Sequence, residues 1–241
     1  MAWTPTLRTW HRRLSLVVGL QLLAWTVSGL IFSWDPIADV RGETSVAEEP
    51  ERVAPPLANL RSPAQVAEAL GVSTVRGVSL EFLRGRWVWR LAGGSEGPTI
   101  LADARTGAAL QALDADEARA LATSRFLPKG RPVRVERVID TGGEYRAKPV
   151  PAWRVDFDDG DAHHLYLDAL TGETTAIRND TWRRFDWMWM LHIMDYNDRT
   201  DFSTPWLKAV AALGVATAAS GLTLGVLLVL GRRGRRPAGI A

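Results

Sequence analysis

Cysteine is absent from all 241 residues, which excludes disulfides, iron–sulfur clusters, thiol catalysis and covalently attached c-type haem. There is no HExxH, so the chain carries no zincin-type peptidase site, and no GxGxxG or GxxxxGK[ST] to cradle a nucleotide. Charge is missing from two long runs: residues 14–34 contain none in 21 positions, and residues 209–230 none in 22. At about 1.5 Å of rise per residue, each run can cross roughly 30 Å of hydrocarbon. A wholly soluble protein is thereby excluded.

The charge beside these runs has one sign. Residues 1–13 carry Arg8, Arg12 and Arg13, residues 231–241 carry Arg232, Arg233, Arg235 and Arg236, and neither flank holds an acid. With those seven arginines set aside, 22 basic residues face 27 acids, so residues 14–231 have a formal charge of −5. Short arginine flanks mark cytoplasmic tails. Both termini are therefore expected in the cytosol, with residues 35–205 outside. Arginines at membrane edges face anionic headgroups, so nucleic acid is not an expected partner and the lipid bilayer is. The first run reads as an uncleaved anchor. It exceeds the usual signal-peptide apolar stretch, and the bulky Ser33-Trp34-Asp35-Pro36 follows it where a small-x-small site would stand. Trp10, Trp34 and Trp206 sit at the ends of the two spans, 14–34 and 205–230.

Small residues recur along both spans. Gly214, Ala218, Gly221 and Gly225 are spaced by four, three and four, and Ser15, Gly19, Thr26 and Gly29 form a similar stripe. Lipid supplies no hydrophobic reason for helices to associate, so these residues are expected to permit close packing, within one chain or between two copies.

Between the spans, residues 35–61 are rich in Pro, Glu, Ala and Arg and read as a tether. A repeated programme follows. Ser62-Pro63 caps a helix from Ala64 to Leu70, strand-like runs cover 75–82, 87–91 and 99–102, and Asp103-Ala-Arg-Thr-Gly107 closes the unit. The second copy has a helix over 114–124, strands over 133–140, 152–157 and 163–167, and the turn Asp168-Ala-Leu-Thr-Gly172. Trp89-Arg90-Leu91 matches Trp153-Arg154-Val155 between them. The expectation is an α+β domain of two helix-plus-three-antiparallel-strand repeats, 62–110 and 111–178.

Residues 181–204 read as a juxtamembrane amphipathic segment, with Trp187, Trp189, His192 and Asp195 as its interaction residues. Asp195, Asn197, Asp198 and Asp201 resemble a calcium loop only loosely, since Thr200 stands where an EF-hand needs Gly and Trp206 where it needs Glu. His163 and His164, adjacent in an expected strand, point to opposite faces and read as sheet-surface residues. No metal site and no catalytic residue is expected.

Trp10-His11-Arg12-Arg13 before the first span, the αβββ repeats ending in Asp-Ala-x-Thr-Gly, and Asp186-Trp-Met-Trp-Met-Leu-His-Ile-Met-Asp-Tyr before the second together resemble PepSY domain proteins of the PepSY-associated transmembrane type. The resemblance implies a membrane-anchored periplasmic binding, regulatory or accessory module of a bacterial inner membrane, acting on a membrane or periplasmic partner or as a homodimer. Its alternative implication comes from larger relatives that are haem-containing reductases, some acting on ferric siderophores in iron uptake. On that reading haem b would be held by His11 or His192. These lie at opposite levels of the bilayer and cannot share one iron within a chain.

Overall fold

The structure is a computed structural model describing residues 3–47, 57–93 and 99–233. Part of the expected tether, 48–56, and Arg235 and Arg236 lie outside the described residues. In chain order the elements are α1 (Trp3–Trp34), α2 (Ile37–Val40), α3 (Pro63–Ala69), β1 (Val75–Leu83), β2 (Arg86–Gly93), β3 (Ile100–Asp103), α4 (Ala115–Arg125), β4 (Pro132–Val138), β5 (Ala152–Phe157), β6 (His164–Asp168), β7 (Thr174–Arg178), α5 (Asp180–Ile193) and α6 (Pro205–Arg233). They fall into two compact units, Met1–Pro36 with Arg183–Ala241, and Ile37–Trp182.

In the first unit, α1 stops just before Pro36, whose ring disfavours helical geometry at Asp35. Helix α6 opens on Pro205, where a missing N–H is harmless, and the Thr204 hydroxyl accepts the Leu207 amide at 3.2 Å. The apolar stretches Pro5–Trp34 and Pro205–Leu230 have only 11% and 6% of their most hydrophobic windows buried. The core helix of a water-soluble protein would be mostly covered, yet here Leu16, Leu20, Val215 and Leu222 all face outward. Helices this long and this apolar on their outer surface are suited to hydrocarbon surroundings. They pack antiparallel, because His11 lies against Gly221 and Val18 against Gly214.

The second unit holds two antiparallel sheets, ordered β1-β2-β3 and β4-β5-β6-β7. Alternation along β2 turns Trp89 and Leu91 toward Val66 of α3, and turns Val88 to the opposite face with Leu83 and Leu101. In the second sheet, Val155, Phe157, Leu165, Leu167 and Ile177 pack under Ala118 and Ala122 of α4. The other face stacks Tyr145 on Tyr166 at 4.5 Å, beside Ala152 and Ala176. Both long-sheet helices begin with a reciprocal capping box, Ser62 with Gln65 and Asp114 with Glu117.

Three features differ from the sequence expectation. The second sheet has a fourth strand, β7, so its module is a helix plus four strands. Residues 37–47 of the supposed tether are folded: Val40 is buried, Gly42 sits against Ile177, and Val46 bridges to Phe126. His163 is no surface residue, being 3% exposed and standing just before β6.

The two sheets share local geometry in detail. Trp89 Nε1 donates to Arg61 O, and Trp153 Nε1 to Leu113 O, each at 2.9 Å and each to the residue preceding a helix cap. Asp103 Oδ1 accepts the amides of Arg105 and Thr106, as Asp168 Oδ1 accepts those of Leu170 and Thr171. Gly107 and Gly172 close these turns at φ of 78° and 73°.

Candidate functional site

Within the first unit, the juxtamembrane helix α5 lays an aromatic face on α1. Phe32 meets Phe185 at 4.6 Å, Trp189 at 5.8 Å and the His192 ring at 5.3 Å between centroids. Trp25 Nε1 donates to His192 O at 2.8 Å. The Ser28 hydroxyl donates to Trp25 O at 3.0 Å, so it accepts at 2.7 Å from Nδ1–H of His192. Nε2 of His192 is then a lone-pair acceptor, with no protein partner among the described residues. Burial holds the ring below the ordinary histidine pKa, so it is neutral at pH 7. Trp187, by contrast, is exposed.

The loop after α5 is braced from inside. Asp195 Oδ2 accepts the amides of Thr200 and Asp201 at 2.9 and 3.0 Å, and Oδ1 that of Asn197 at 3.2 Å. The Asp201 amide, helped by the others, holds this carboxyl below the usual carboxylate range against the opposing effect of desolvation. Its oxygens are thus committed to closing the loop. Asp186 pairs with Arg199, whose carbonyl accepts Trp189 Nε1–H at 3.1 Å.

His11 sits at the other end of the helix pair. Ser220 Oγ donates to Thr217 O and so accepts from His11 Nδ1 at 2.8 Å, leaving Nε2 to the Ser15 hydroxyl at 3.4 Å. Seventeen helical positions from His11 to Ser28, the partner of His192, amount to about 25 Å. The two imidazoles therefore cannot share an iron within one chain, and His11 has both nitrogens occupied. Of the small residues, Gly214 and Gly221 stand at the α1 contact: an added Cβ would lie 4.0 Å from Val18 and 2.8 Å from His11 respectively. Gly19, Gly29 and Gly225 have open space at that position, and Ala218 is exposed. Gln21, which the sequence did not single out, has its Nε2 buried with no hydrogen-bond partner among the described residues.

In the second unit, two neighbouring histidines are treated differently. His164 Nδ1 contacts Glu144 Oε2 at 2.7 Å, and Arg154 lies within 3.1 Å of its Nε2 while pairing with Asp156. His163 is enclosed. Its Nε2 meets Ser45 Oγ at 2.9 Å, its Nδ1 contacts Asp159 Oδ2, and its amide donates to Asp159 Oδ1 at 3.0 Å. The order Ser–His–Asp is that of a hydrolytic triad. However, the Ser45 residue is 7% exposed and both other side chains 3–4%, so the hydroxyl is not presented to a substrate. The signal for this cluster was the alternation Asp159-x-Asp161-x-His163 across a hairpin loop. The contribution of Ser45, more than a hundred residues away, had no local signal.

An α+β domain thus lies, in sequence, between two apolar helices of membrane-spanning length. Residues 112–178, which include α4 and the four-stranded sheet, match the PepSY family, described as "Peptidase propeptide and YPEB domain". The protein contains a PepSY domain. No curated protein and no solved structure matches the chain.

Proposed function

We propose that the protein is a membrane-anchored binding and regulatory module: a tandem PepSY domain on the periplasmic side of a bacterial inner membrane, held by a two-helix hairpin with both termini in the cytosol. The observation that carries this reading is the PepSY domain set, in sequence, between two apolar helices of membrane-spanning length. The arginine flanks support the orientation. The matched Trp89 and Trp153 hydrogen bonds and the paired Asp-x-x-Thr-Gly turns support counting residues 62–110 as a first copy. Among the described residues the polar clusters cap, brace or pair one another, which supports regulation over catalysis.

Alkaline phosphatase and green fluorescent protein fusions at residue 120 test the threading: phosphatase activity without fluorescence is expected, and the reverse pattern overturns the reading. A haem-bearing electron carrier for iron uptake is the second reading, favoured by the free Nε2 of His192. It would need one such imidazole from each of two chains. The absorbance spectrum of detergent-purified protein, oxidised and dithionite-reduced, separates the two. The regulatory reading expects no Soret band, and a stoichiometric band lost in His192→Ala replaces it with the second.

A further inference from the structure

Asp159, Asp161 and His163 bring one ligand atom each to within 4.8 Å of one another on the loop joining β5 and β6. The Asp159 side chain is 4% exposed and that of His163 is 3%, yet among the described residues no Lys or Arg pairs with Asp159 or Asp161. A buried carboxylate demands a compensating charge. Next door, Arg154 supplies that charge to the Asp156–His164 group. At Asp159 no guanidinium or ammonium does so among the described residues: the groups in contact are the His163 ring and amide, and the second carboxylate, Asp161, is exposed beside them.

We infer that Asp159, Asp161 and His163 form a binding site for a divalent transition-metal cation of the Zn²⁺ class. The donor set, two carboxylate oxygens and one imidazole nitrogen, suits zinc, whereas calcium takes oxygen ligands and more of them. His163 presents Nδ1 to the carboxylates because Ser45, from a separate segment of the chain, holds Nε2 at 2.9 Å. In the metal-bound site Nδ1 would give its lone pair to the metal, and the single ring proton would sit on Nε2, donated to Ser45 Oγ. That is the outer hydrogen bond metal-bound histidines make. Ligand atoms around a tetrahedral zinc stand about 3.3 Å apart. The exposed Asp161 side chain has the freedom to close the remaining distance, with solvent as fourth ligand. The metal would clamp residues 43–45 to the β5–β6 loop through Ser45. It does not depend on the regulatory reading above.

The test uses full-length protein in detergent, purified without a histidine tag, stripped with EDTA and titrated calorimetrically with ZnCl₂ and, separately, CaCl₂. One equivalent of zinc bound with micromolar or tighter Kd is expected, with calcium at least 100-fold weaker. Asp161→Asn, which changes only an exposed side chain and keeps the backbone carbonyl that accepts the Asp180 amide, should weaken zinc binding at least tenfold while leaving the circular dichroism spectrum unchanged. Ser45→Ala should weaken it several-fold. Absence of zinc uptake, or wild-type affinity in both Asp161→Asn and Asp161→Ala, overturns the site.

Discussion

Replacing Gly42 by alanine should destabilise the α+β domain far more than a loop substitution ordinarily does. Gly42 has φ of +69°, and an added Cβ would stand 2.5 Å from Cγ2 and 2.8 Å from Cβ of Ile177, a residue of the second sheet's core. A left-handed conformation costs a non-glycine residue about 1–2 kcal/mol. Overpacking against a buried side chain adds about 1–3 kcal/mol. The stiffer unfolded chain returns about 0.4–1 kcal/mol. The net loss is therefore about 1–5 kcal/mol. With an m-value of about 2 kcal/mol/M, the urea midpoint should fall by about 0.5–2.5 M. Gly85→Ala is the control: its φ is +74° but its Cβ position is open, so it should lose about 1 kcal/mol, the conformational part alone. Both variants are made in the full-length protein in detergent, and unfolding is followed by far-UV circular dichroism. Equal midpoints for the two would refute the docking of residues 37–47 on the second sheet.

Three other outcomes are expected. Leu165→Ala, at a fully buried position under α4, should cost about 2–5 kcal/mol in the same urea assay; a loss below about 1 kcal/mol would contradict the core. Because the chain has no native cysteine, Val18→Cys with Gly214→Cys should oxidise to an intrachain disulfide visible on non-reducing gels, and Val18→Cys with Gly225→Cys should not; the opposite result would dismiss the α1–α6 register. Asp103 is held below the usual carboxylate range: burial acts to raise it, but the Thr106 and Arg105 amides outweigh that. Its folded pKa lies below its unfolded value, so its stabilisation is complete above about pH 4 and disappears as pH falls through the lower folded value. Asp103→Ala should abolish that acid dependence and cost about 1–2 kcal/mol at pH 7, which pH-resolved urea titrations would check.

The sequence by itself determined what depends on neighbours in the chain. Uncharged runs of 21 and 22 residues carry their own length and hydrophobicity, and Ser62-Pro63 and the two Asp-x-x-Thr-Gly turns act through backbone groups a few residues away, so they were legible. Tertiary structure decided the rest. Thr174–Arg178 has too little apolar alternation to announce a strand and becomes β7 by pairing with β6. Residues 37–47 look like a tether until Gly42 and Val46 meet the core of the second sheet, and His163 is buried because Ser45 and Phe126 come from elsewhere to cover it. Burial and charge balance are sums over segments distant in the chain, and only folding brings those segments within reach of one another.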